Sequence, residues 1–114
     1  TTNLRVELIT EPAEPIAGQE TLLFFRVTPH EGLEPYLGAW GHLLAASDDL
    51  VDIVHDHPLY VDGVPPPDLR AASPKQIQFN LIFPRVRAYR VWVQFARGGA
   101  VNTAAFTIPV KALA

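Results

Sequence analysis

A two-residue rhythm constrains this chain more than any other feature. Between residues 88 and 96, Tyr89, Val91, Val93 and Phe95 alternate with Arg90, Trp92 and Gln94. Successive side chains of an extended strand point to opposite faces, so this pattern fits a half-buried strand and not an amphipathic helix. The rhythm recurs. Over residues 3–10, Leu4, Val6 and Leu8 oppose Arg5 and Glu7; over residues 75–83, Ile77, Phe79, Leu81 and Phe83 oppose Gln76, Gln78, Asn80 and Ile82. Residues 101–110 share two faces, with Ala104, Phe106 and Ile108 on one. Residues 21–28, carrying Leu22, Leu23, Phe24, Phe25 and Val27, read as a central strand.

The breaks are equally legible. Pro12 and Pro15 cannot sit inside a sheet ladder, so residues 11–15 end the first strand. Gly98-Gly99 between two alternating runs is a hairpin turn. Residues 29–38 form an irregular connection, and residues 60–74, with Pro65-Pro66-Pro67, form an excursion. About seven short strands and no amphipathic helix predict an all-β fold, an immunoglobulin-like antiparallel β-sandwich, as a single domain over residues 1–114. Tyr89 enters a strand just after the turn at 84–87, the placement of a tyrosine corner, whose hydroxyl ties turn to strand. Its expected role is architectural, as is that of Trp40 and Trp92, with Trp92 half-covered beside Arg90 and Gln94.

Composition narrows the function classes. A length of 114 residues buries a core without staples. The net charge is −3 and only nine Lys and Arg are present, without a cluster that could track a phosphate backbone, so nucleic acid is not the expected partner. The apolar runs are strand-sized, too short for a transmembrane helix. With no cysteine, thiolate nucleophiles, disulfides and zinc-thiolate sites are excluded. Methionine is also absent, which suggests a trimmed or mature fragment lacking any signal peptide, anchor or neighbouring domain.

The chemistry concentrates in histidine. His42, His55 and His57 lie in one stretch, and His55 and His57, two apart, share a face of an extended strand. Residues 39–57 read as a tight hairpin with Asp48-Asp49 at its tip. Symmetric pairing about that tip sets Leu44 opposite Ile53, His42 opposite His55 and Trp40 opposite His57, so that three imidazoles converge. Imidazole nitrogen suits Cu(II) or Zn(II), whereas Cu(I) sites usually recruit sulfur, which this chain lacks. Three such ligands leave a position open for water or an exogenous ligand. The alternative is that each histidine is a partly buried side chain bonded to a carbonyl or carboxylate. Asp48-Asp49 suits a hairpin tip better than a calcium site. Ser47 and Ser73 lie in no Gly-x-Ser-x-Gly elbow, which disfavours serine hydrolysis.

Several segments together resemble the YtkA-like group of small extracytoplasmic β-sandwich domains. They are Leu37-Gly38-Ala39-Trp40-Gly41-His42-Leu43-Leu44, Ser47-Asp48-Asp49-Leu50, His55-Asp56-His57-Pro58, Phe83-Pro84 with Ala88-Tyr89-Arg90-Val91-Trp92-Val93-Gln94-Phe95, and Thr103-Ala104-Ala105-Phe106-Thr107-Ile108. The resemblance implies an exported, periplasmic or secreted, or membrane-anchored domain associated with copper or other heavy metals. A metal role would map to His42, His55 and His57. Two expectations follow. The first is a non-catalytic extracytoplasmic domain that sequesters or hands on a divalent ion. The second is an immunoglobulin-like module that presents loops or an edge strand to a partner protein or neighbouring domain.

Overall fold

The computed structural model describes residues 4–29, 31–34, 40–56 and 76–113. Within them the chain forms strands β1 (Arg5–Glu11), β2 (Glu20–Thr28), β3 (Leu33–Glu34), β4 (His42–Ser47), β5 (Ile53–Asp56), β6 (Gln76–Ile82), β7 (Ala88–Arg97) and β8 (Ala100–Pro109). One sheet has the order β1-β2-β6. In the other, β7 pairs with β8 and with both β3 and β4, and β5 pairs with β4. All these pairings are antiparallel. The architecture is an all-β sandwich, as the alternation predicts. The two-residue β3 lies within residues 29–38, the connection that the sequence predicts to be irregular throughout.

The apolar faces expected of β6 and β7 turn toward the core, and β2, expected as a central strand, buries alternate residues. Leu23, Phe25 and Val27 of β2, Ile77, Phe79 and Leu81 of β6, and Tyr89, Val91, Val93 and Phe95 of β7 are buried. Leu4, Val6, Leu8, Ala104 and Phe106 pack against them from the two edges. At the centre, Phe25 meets Phe79 edge-on with ring centroids 5.6 Å apart, and Phe106 closes the third side at 5.6 Å. Edge-to-face packing of this kind adds to the area that the rings bury.

The turns follow local chemistry. Gly98 and Gly99 have φ of 59° and 79°, the left-handed conformation of a two-residue hairpin whose twist matches its strands. The prolines at residues 12 and 15 do more than stop β1. After them the chain crosses to the second sheet, where Ile16 bridges Lys111 in parallel. Lys111 N donates to Pro15 O at 3.0 Å and Ala17 N donates to Lys111 O at 2.9 Å.

The β4–β5 hairpin departs from the symmetric pairing. Leu44 lies opposite His55, Ala45 opposite Val54 and Ala46 opposite Ile53, a shift of two residues. The loop is longer than a tight turn: Ser47 N donates to Asp52 O at 2.9 Å, and Leu50 sits at φ 60° within it. A two-residue shift preserves the faces, whereas a one-residue shift would invert them. Trp40 also departs. It precedes β4 and is 3% exposed in the core, not on the outer face with His42.

Candidate functional site

The outer face of the larger sheet carries the histidines. Leu43 and Ala45 of β4 point into the core, so His42 and Leu44 point away from it. Across the strands run two rows. His55, Leu44, Trp92 and Ala105 form one; His42, Gln94 and Thr103 form the next. His42 and His55 are therefore diagonal neighbours, and their rings stack with centroids 6.0 Å apart and planes 20° apart. Diagonal positions on a sheet lie within reach of long or aromatic side chains.

These rings border a shallow cavity of about 360 Å³, lined also by Leu44, Trp92, Gln94 and Thr103. Trp92 is half-buried here, as its place between Arg90 and Gln94 suggested. Gln94 Nε2 donates to Thr103 Oγ1 at 3.3 Å, which orients the amide along one wall. The cavity thus combines two imidazoles, an indole and an amide on a rigid sheet. Chemically it can offer nitrogen donors to an ion of borderline softness, or an aromatic surface to a flat or apolar group.

His57, the third expected ligand, lies outside the described residues, as do His30 and residues 65–67. Among the described residues, no three of His, Cys, Asp and Glu gather closely enough to hold a metal ion. The structure therefore brings together His42 and His55 of the expected set.

A glycine holds this face in place. A Cβ on Gly41 would stand 3.0 Å from Gln94 O and 3.5 Å from Ile77 Cδ1. The backbone entering β4 thus runs against β7 immediately before His42. Trp40, one residue earlier, has its Nε1 buried without a hydrogen-bond partner among the described residues. The oxygen Oγ1 of buried Thr21 is in the same condition.

A second polar cluster forms one end of the sandwich, at the base of the β4–β5 loop. Arg85 N donates to Tyr89 Oη at 3.2 Å, the turn-to-strand tie expected of Tyr89. The phenol in turn donates to Asp52 Oδ2 at 2.8 Å. Arg85 Nε donates to the same Asp52 oxygen at 2.8 Å, and Arg85 Nη2 donates to Asp49 Oδ1 at 2.8 Å. Ser47 Oγ donates to Asp49 Oδ1 at 2.6 Å and accepts from Asp52 N at 2.9 Å. Arg87 Nε donates to Asp48 Oδ1.

Charge states follow from these contacts. Arg85, and then Ser47, hold the Asp49 carboxyl well below the usual carboxylate range. Asp52 is lowered by Arg85 and by the Tyr89 hydroxyl. Asp49 and Asp52 raise Arg85 in return, and Asp48 raises Arg87. Burial, followed by the Asp52 hydrogen bond, pushes the Tyr89 phenol up. The Ser47 hydroxyl spends its bonds on this loop. The sequence signals Tyr89 but not its carboxylate partner, because Tyr89 and Asp52 are 37 residues apart.

No curated protein and no solved structure matches the chain. A family model matches residues 1–112, and its description is a domain of unknown function, DUF8832. The chain belongs to the DUF8832 family.

Proposed function

We propose that this domain is a non-catalytic metal-binding module, in which the outer-sheet face around His42 and His55 takes a divalent ion, Cu(II) or Zn(II). The observation that carries the proposal is the pair of imidazoles 6.0 Å apart at the rim of an open cavity. Two nitrogens at 2.0–2.1 Å from one ion stand roughly 3.3 Å apart, so ligation turns both rings out of their stacked arrangement. His57 is the third donor in this reading, because its two-residue spacing from His55 gives it the same face of an extended strand. Nitrogen donors without sulfur favour Cu(II) or Zn(II) over Cu(I). The role is sequestration or hand-over in an extracytoplasmic setting, in line with the resemblance to YtkA-like domains.

The experiment is a calorimetric titration of Cu(II) and Zn(II) into the wild type, His42→Ala/His55→Ala and His57→Ala proteins, paired with thermal melts. A ligand that binds only the folded state raises the melting temperature. The expected result is saturable binding and a raised midpoint in the wild type, both lost in the double variant and weakened in His57→Ala. Equal, weak binding by all three proteins would overturn the reading.

A second reading, a protein-interaction module, is favoured by the apolar side chains along the same hairpin. Leu50 is 72% exposed, Val51 68%, Ile53 58% and Leu44 41%. Surface apolar residues grouped in this way mark contact sites more often than scattered ones do. A wild-type melting temperature that no first-row metal moves would favour this reading.

A further inference from the structure

Strand β8 is the last in its sheet, ten residues long, and the segment AVNTAAFTIP carries no charged side chain. Among the described residues, its outer edge from residue 100 to residue 108 pairs with nothing. Natural sheets guard such edges with lysine, inward-pointing charges, proline, bulges or short strands, because an open row of N–H and C=O groups templates another strand. Of the two edge strands of the other sheet, β1 carries Arg5, Glu7 and Glu11 beside Ile9 on its outer face, whereas β6 is uncharged but only seven residues long to the ten of β8. On β8 the only guards sit at the ends. Gly98-Gly99 turns the chain away at one end, and the Ile16 bridge to Lys111 covers the other, just past Pro109.

We infer that β8 pairs antiparallel with β8 of a second copy of this chain, about a two-fold axis at Ala104. The centre follows from the bounds of the free edge, since residue 104 is midway between 100 and 108. In this register residue 109 of one copy falls opposite Gly99 of the other, so the covered end of each strand meets a turn and not a ladder. Thr103 lies opposite Ala105 of the second copy, and Val101 lies opposite Thr107. These side chains stand on the exposed face of β8, are small or β-branched, and set no like charges against each other. That matters for a chain with a net charge of −3, because identical copies repel wherever their charges face.

The neighbouring surface suits the same occupant. A cleft of about 350 Å³ runs between Leu4, just before β1, and Val6 of β1 on one side and Asn102 to Phe106 of β8 on the other, so the two edge strands lie side by side. A two-fold at Ala104 therefore brings β1 toward its own copy in antiparallel sense. Arg5 and Glu7, of opposite sign, face outward there. Two sandwiches joined in this way share a continuous sheet, and β8 ceases to be an edge. The contact is isologous and closes on itself as a dimer, with no tendency to extend into a fibre.

Sedimentation equilibrium tests the assembly, and a charge exchange tests the register. The wild type is expected to sediment as a dimer. Thr103→Lys/Ala105→Lys sets lysine against lysine at both symmetric positions and is expected to give a monomer with unchanged far-ultraviolet circular dichroism. Thr103→Lys/Ala105→Glu sets lysine against glutamate and is expected to restore the dimer. Hydrogen exchange of the wild type needs no variant: amides of residues 100–108 are expected to exchange faster on dilution. A wild type that stays monomeric at millimolar protein, or a dimer that survives the double lysine change, overturns the inference. Failure of the lysine–glutamate variant to re-associate also overturns it.

Discussion

Oδ2 of Asp52 accepts from both Arg85 Nε and Tyr89 Oη, each at 2.8 Å, while Asp49 takes the other arm of the same guanidinium. Both carboxylates are lowered in the folded chain, so each binds its proton less readily there than in the unfolded chain. The sign of the linkage follows. Their contribution is present in full above the unfolded aspartate value of about 3.9. It declines as the pH falls below that value and is lost once the pH has passed through the lowered folded values. Urea unfolding from neutral pH down to about pH 2.5 is therefore expected to show stability dropping below about pH 4. Asp52→Asn is expected to be less stable at neutral pH and to lose less on acidification; parallel curves for the two proteins would count against this account. Of this cluster, only Tyr89 could be read from the sequence. Its bond to Arg85 spans four residues, whereas the Arg85–Asp52 pair joins two hairpins whose approach no local pattern encodes.

The strands show where reading a sequence succeeds and where it stops. Alternation identified β1, β6, β7 and β8 to within a residue or two, and assigned the inner faces of β1, β6 and β7 correctly, because the pleat is a local property; for β8 it separated the two faces without saying which is inner. Pairing is different. The β4–β5 register shifted by two because the loop after Ser47 is wider than a two-residue turn and holds Leu50 at a positive φ, a conformation that leucine rarely signals. As a result His42 and His55 are diagonal neighbours and not direct partners. Trp40 breaks the alternation beside Gly41, which precedes β4 and lies so close to β7 that an added Cβ would stand 3.0 Å from Gln94 O. Gly41→Ala requires the Gln94 carbonyl on β7 to give by a few tenths of an ångström at this contact. A loss of about 1–3 kcal/mol in chemical denaturation is expected, of the size that overpacking usually costs. The same variant is expected to weaken any ligand affinity at His42. An unchanged denaturation midpoint would show that the sheet absorbs the methyl group without strain.

At the scale of the whole molecule, aromatic contacts tie the two sheets together, Phe25 to Phe106 and, just past β6, Phe83 to Tyr89 of β7 at 4.8 Å. Phe25 and Phe79, both fully buried, belong to the smaller sheet, and Phe106 meets Phe25 from β8 of the larger one. Phe25→Ala removes the middle ring of the three and is expected to cost about 3–5 kcal/mol. That is a large part of the 5–15 kcal/mol typical of a domain, so the variant is expected to unfold at markedly lower urea with a broadened transition. A loss below about 1 kcal/mol would mean that the site collapses around the gap and that the core does not depend on this ring.

The sequence by itself determined the class of fold, the inner and outer faces of β1, β6 and β7, the turn at Gly98-Gly99 and the absence of sulfur chemistry. Each of these follows from a residue's own type or from neighbours a few positions away. The tertiary structure decided which faces and edges meet. It set His42 against His55, gathered Asp49, Asp52, Arg85 and Tyr89 at one end, drew Trp40 into the core and, among the described residues, left the outer edge of β8 unpaired. Those outcomes depend on loop length and on packing between segments tens of residues apart, and a two-residue period carries no record of either.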